Sequence, residues 1–131
     1  MQLDHVGIAV GDLKRATERW QLLLGGSASA PEEVPSNGVR VCFLAAGATH
    51  IELLEPLGPE STIAKFLEKR GEGIHHLAFA VTNVDRTLAE LAARGERVID
   101  RTGRPGSRGR RVGFAHPAAF GGVLVEFVEV P

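Results

Sequence analysis

A single cysteine, Cys42, among 131 residues excludes an internal disulfide and a thiolate metal cage. It sits in the apolar run VRVCFLAA, where buried packing is its expected role. Net charge is also missing. With 15 Lys+Arg against 16 Asp+Glu the balance is −1, which argues against a general nucleic-acid or membrane-surface binder and makes any anion site local. Hydrophobic residues make up 44% of the chain, yet no apolar run is long enough to span a bilayer. The amino terminus goes directly into a strand-like pattern instead of a signal sequence, so a cytoplasmic location is expected.

What is present is a repeat. LDHVGIAVGDL at 3–13 returns as IHHLAFAVTNV at 74–84, with His5 and His76 at matched places 71 residues apart. Asp12 and Asn83 are helix caps before LKRATERWQLLLGG and VDRTLAELAARG, which stop at Gly25-Gly26 and Gly95. VRVCFLAA at 39–46 parallels RRVGFAHP at 110–117, and HIELLE at 50–55 parallels LVEFVE at 124–129. There Glu52 meets Glu126 at an offset of 74, so the second hairpin is three residues longer. One more strand is expected around 28–34 and its counterpart around 97–101.

Each half thus reads βαβββ, and the predicted class is α+β: two tandem modules forming paired curved mixed sheets around a shared metal cavity. The length predicts one domain over 1–131, with module one at about 1–56, a linker at about 57–72 and module two at about 73–131. The linker should hold a turn and a short helix from about Thr62 to Arg70, ended by Gly71.

Strand alternation puts Val6, Ile8 and Val10 on one face and His5, Gly7 and Ala9 on the other. In the second copy Leu77, Phe79 and Val81 oppose His76, Ala78 and Ala80. Small neighbours beside a histidine leave the room that a ligand cavity needs. Glu52 and Glu126 point away from the helix-packed face by the same parity, so His5, Glu52, His76 and Glu126 are expected to converge. Taken singly, a strand histidine is more often a hydrogen-bonded core residue and a strand glutamate a hydrated one. It is the matched set that favours a metal. Two imidazoles and two carboxylates suit a borderline divalent ion. One ion per chain is expected, Co²⁺, Mn²⁺, Ni²⁺, Zn²⁺ or Fe²⁺, and the residues alone do not choose among them. His75 competes with His76 but misaligns with His5. His50 shares the parity of Glu52, and His116 before Pro117 reads as a turn residue.

The motifs LDHVGIAV, HHLAFAV and GGVLVEF resemble the vicinal oxygen chelate superfamily, also called the glyoxalase/bleomycin resistance/dioxygenase superfamily. EEVPSNGV, IELLEPLGPESTIAKFLEKRGEGIHH and FAHP resemble its methylmalonyl-CoA epimerase family. That resemblance implies an isomerase that removes and returns a proton at C2 of a CoA thioester, as a homodimer, with the metal on His5, Glu52, His76 and Glu126. Proton transfer on two sides of C2 needs two groups, and the repeat offers carboxylates beside the metal: Glu126 is expected as one acid/base group and Glu52 as the other. Some members carry Gln at the second ligand position, and some carry a further glutamate on the second strand, where this chain has Val41. The family pattern GAHG stands here as GSRG at 106–109.

A CoA tail needs cations, and RTGRPGSRGRR at 101–111 offers Arg104, Arg108 and Arg110, with Lys65 on the linker. Its glycines match neither a dinucleotide-binding fingerprint nor a Walker A loop. Rival readings are a glyoxalase I-type lactoylglutathione lyase and a metal-free small-molecule-binding protein of the same superfamily. An extradiol dioxygenase fits less well, since its facial triad has only one carboxylate.

Overall fold

The computed structural model describes residues 1–131. The strand β1 (Gln2–Ala9) leads through Asp12, whose carboxylate accepts the Arg15 N–H, into the helix α1 (Leu13–Leu24). Leu13, Ala16, Trp20 and Leu24 recur at helical spacing and pack on Ile8, Val10, Cys42, Leu44 and Leu53. Gly25 ends the helix at φ 73°, a backbone conformation that costs glycine little. β2 (Glu32–Val34), β3 (Val39–Ala46) and β4 (Thr49–Pro56) follow, then α2 (Thr62–Arg70), capped by Ser61 and ended by Gly71, the predicted stop.

The second copy runs β5 (Gly73–Val81), α3 (Val84–Ala93), β6 (Arg104–Pro105), β7 (Arg111–Ala115) and β8 (Val125–Glu129). Asn83 caps α3 through the Arg86 N–H. The predicted class holds: a mixed curved sheet built from tandem βαβββ modules. Within the modules the strand orders are β2-β3-β4-β1 and β5-β8-β7-β6. β1 runs parallel to β4, and β5 runs parallel to β8. The remaining pairs are antiparallel.

The longer second hairpin contains a 3₁₀ turn of four residues, Pro117–Phe120. His116 caps that turn, its Nδ1 accepting the Ala118 N–H at 3.0 Å.

The chain divides into two compact units, His5–His75 and Met1–Asp4 with His76–Pro131. The first unit holds two apolar clusters, the one under α1 and a second made of Ala9, Val34, Val39, Val41, Phe43, Leu54 and Ile63. In the other, Val81, Val84, Leu88, Ala115, Val125 and Phe127 form the larger cluster. No helix is long and apolar enough to cross a membrane.

Two expectations need correction. The strand placed at 97–101 is reduced to a single bridge, Val98 to Ala115, and the edge strand is β6. Backbone bonds do form here, from the Ile99 and Asp100 N–H groups to Phe114 O and from the His116 N–H to Arg97 O, but the Asp100 carboxylate takes the Phe114 N–H at 2.9 Å, so a side chain interrupts the ladder at that amide. The second correction concerns the small residues on the histidine faces. Ala9 is fully buried, covered by Ile63 of α2 together with Val34, Val41 and Leu54, and Ala78 packs with Val112 and Val128. The linker helix therefore fills space that the sequence pattern reads as open. Ile63, 1% exposed, should be the anchor of α2. Ile63→Ala is expected to cost about 2–5 kcal/mol in urea unfolding; a loss below about 1 kcal/mol would mean that α2 does not close this face.

Candidate metal centre

In the first unit His5 comes from β1 and Glu52 from the neighbouring parallel strand β4, whose register sets Gly7 opposite Glu52. Because glycine stands there, nothing bulky separates the imidazole from the carboxylate. His5 Nε2 lies 3.2 Å from Glu52 Oε1. The other unit repeats the arrangement, with Ala78 opposite Glu126 and His76 Nε2 3.1 Å from Glu126 Oε1. All four side chains are buried, at 1, 5, 2 and 6% exposure for His5, Glu52, His76 and Glu126. One ligand atom from each lies within 4.8 Å of those of the other three.

Two buried carboxylates are costly without compensating positive charge. Two carboxylates and two imidazoles supply the donor set and the neutralising charge for one borderline divalent ion. The residues present therefore fit such a cation.

An aromatic ring braces each imidazole, which the sequence pattern does not announce by motif. The Phe43 ring stands edge-on to His5 at 5.6 Å, and the Phe114 ring stands edge-on to His76 at 5.8 Å. The two phenylalanines are themselves 71 residues apart, so the repeat carried the signal. Beyond Phe43 stands His50, half-buried and edge-on at 6.4 Å. His75 is placed elsewhere, edge-on to Phe66 of α2 at 5.0 Å. Val41 is 1% exposed inside an apolar cluster, so β3 supplies no carboxylate at that position.

The basic loop is tied to acids outside it, two of them, Asp4 and Asp85, distant in sequence. Arg108 and Arg110 reach Asp4 at 2.8 and 3.3 Å. Arg104 pairs with Asp100 at 3.1 Å and lies over the Phe114 ring at 5.3 Å from its centroid. Arg111 pairs with Asp85, whose carboxylate also accepts the Gly103 N–H at 2.7 Å. The Gly103 bond and, after it, Arg111 hold the Asp85 carboxyl below its ordinary range. Arg108 adopts φ 58°, a left-handed conformation costly for a side-chain-bearing residue. Lys65 lies on α2.

The profile of the glyoxalase/bleomycin resistance protein/dioxygenase superfamily matches residues 4–114. The ethylmalonyl-CoA/methylmalonyl-CoA epimerase of Cereibacter sphaeroides is 42% identical over 98% of this chain and 98% of its own length. The crystal structure of methylmalonyl-CoA epimerase from Mycobacterium tuberculosis superposes with a TM-score of 0.92 at 43% identity, covering 98% of this chain and 88% of that one. A methylmalonyl-CoA epimerase solved in complex with methylmalonyl-CoA and NH₄⁺ gives a TM-score of 0.92 at 37% identity, covering 98% and 93%. With the repeated His–Glu pairs already in place, these likenesses make the chain a member of the methylmalonyl-CoA epimerase family within the glyoxalase/bleomycin resistance protein/dioxygenase superfamily.

Proposed function

We propose that this protein is a metal-dependent epimerase that interconverts (2R)- and (2S)-methylmalonyl-CoA by proton transfer at C2. The observation that carries the reading is the buried group of two imidazoles and two carboxylates in a chain of this family. A relative solved with methylmalonyl-CoA bound supports the substrate. His5, Glu52, His76 and Glu126 would hold one divalent ion, Co²⁺ first among Mn²⁺, Ni²⁺, Zn²⁺ and Fe²⁺. When bound, such a cation draws charge from the thioester oxygen and so acidifies C2, a contribution of several kcal/mol.

The remaining work falls to the chain. Epimerisation needs a proton to leave one side of C2 and return from the other, through a planar enolate. Glu126 is the first acid/base group and Glu52 the second, since Val41 excludes a carboxylate on β3. Burial of both glutamates keeps bulk water from competing for the proton. Phe43 and Phe114 hold the imidazole planes, which limits how far either His–Glu pair can turn. Arg104, Arg108, Arg110 and Lys65 would receive the anionic CoA tail, the first three from a loop already fixed by Asp4 and Asp100. We place the protein in the cytoplasm, as a homodimer of chains in which residues 1–131 act as one domain.

The direct test follows C2 of methylmalonyl-CoA by NMR in D₂O, with and without chelator. Deuterium should enter C2 with the metal-loaded protein and stop entering after chelation, returning when Co²⁺ is restored. Exchange that continues unchanged in excess chelator would rule out the metal. Turnover of a glutathione hemithioacetal without C2 exchange would mark a lyase instead.

A further inference from the structure

We propose that Glu55 and Glu129 are positioning residues that lock each imidazole-bearing strand to the strand carrying its partner carboxylate. The inference rests on the metal reading above and adds two residues that lie outside the donor set. Glu55 and Glu129 stand three residues beyond Glu52 and Glu126 on β4 and β8, and are themselves 74 residues apart. Glu55 Oε2 accepts the Leu13 N–H at 2.7 Å, and Glu129 Oε1 accepts the Val84 N–H at 3.0 Å. Those amides open α1 and α3 and are again 71 residues apart. The repeat has thus copied four elements in register: imidazole, carboxylate, helix-opening amide and the glutamate that grips it.

Ordinary helix capping does not account for this arrangement. The local caps Asp12 and Asn83 already take the Arg15 and Arg86 amides. Glu55 and Glu129 come instead from sequence distances of 42 and 45 residues, and their carboxylates face the positive ends of the helices.

Each contact sits where a parallel ladder runs out. The last ladder bonds are Val10 N–H to Leu54 O and Val130 N–H to Val81 O, both 2.9 Å. Ladder bonds fix register in steps of about 3.3 Å. Metal ligation tolerates distance errors of only about 0.2 Å. A charged bond past the end of the ladder restrains the residual splay of the strand pair, and with it the His–Glu separations of 3.2 and 3.1 Å.

Glu129 gives the cleaner test, because Glu55 Oε1 also receives Arg40 at 3.0 Å. The full-length chain is titrated with Co²⁺, reading affinity and the visible d–d spectrum, with a thermal melt alongside. Glu129→Ala should lower Co²⁺ affinity by about tenfold and alter the spectrum. Glu129→Gln, whose amide oxygen still accepts the Val84 N–H, should stay within about threefold of wild type and keep the wild-type spectrum. Glu55→Ala should move affinity in the same direction.

A Glu129→Ala protein that melts earlier yet binds Co²⁺ with wild-type affinity and spectrum would reduce Glu129 to a helix cap and overturn the proposal. If the alanine variant does not fold, Glu129→Asp takes its place: one methylene too short to reach, it should also lose about tenfold, and wild-type binding by it overturns the proposal equally. Wild-type protein that takes up no Co²⁺ would sink the metal reading and this inference together. Normal uptake with unaffected variants sinks this inference alone.

Discussion

Glu126→Gln should reduce deuterium exchange at C2 of methylmalonyl-CoA by about 10³-fold, equivalent to ~4 kcal/mol of barrier. The amide keeps the volume of the carboxylate and an oxygen toward His76, so the buried site at 6% exposure can stay packed. What it loses is the ability to take a proton. Glu52→Gln is the informative comparison, because some members of the family carry Gln at that position and the amide oxygen still serves as a donor. It should retain Co²⁺ and lose less rate than Glu126→Gln. Circular dichroism and a Co²⁺ titration on both variants separate lost chemistry from lost structure. Full exchange by Glu126→Gln would remove Glu126 from proton transfer and leave it a ligand.

The fold and the donor set were legible for one reason, a repeat with two offsets. His5 and His76, with Asp12 and Asn83, identified the strand–helix units, and strand parity then aimed Glu52 and Glu126 at the same face. Helix limits were readable because the stop signals are chemical: Gly25 and Gly71 end α1 and α2 where predicted. What failed depended on contacts between distant residues. Asp100 gave its side chain to the Phe114 amide and so cut short the strand expected at 97–101, a competition invisible to a local pattern. The space beside Ala9 reads as open from alternation alone. Only packing shows that Ile63 of the asymmetric insert occupies it. The basic loop contains no acid of its own, so Asp4 and Asp85 as its partners lay beyond any local reading.

His76→Ala should weaken Co²⁺ binding by more than about 100-fold, exceeding the loss expected for residues outside the donor set. An alanine removes a buried imidazole 3.1 Å from Glu126 and leaves the donor set one ligand short. The neighbouring residue supplies the control. His75→Ala should bind Co²⁺ within about threefold of wild type, because its ring packs on Phe66 of α2. Titration of the two variants side by side tests the register of β5 as well as the chemistry. If His75→Ala were the one to lose the ion, the strand would be turned by one residue and every side chain on it would face the other way.

The grip of Asp4 on Arg108 and Arg110 has a practical corollary for handling the protein. Trimming a few residues from a chain end is usually harmless. Here the cut would strip the counter-charge from a turn a hundred positions downstream, where Arg108 already sits in an uncomfortable backbone conformation. Variants lacking Asp4 should therefore be screened for a loosened turn at 106–110 before their activity is compared.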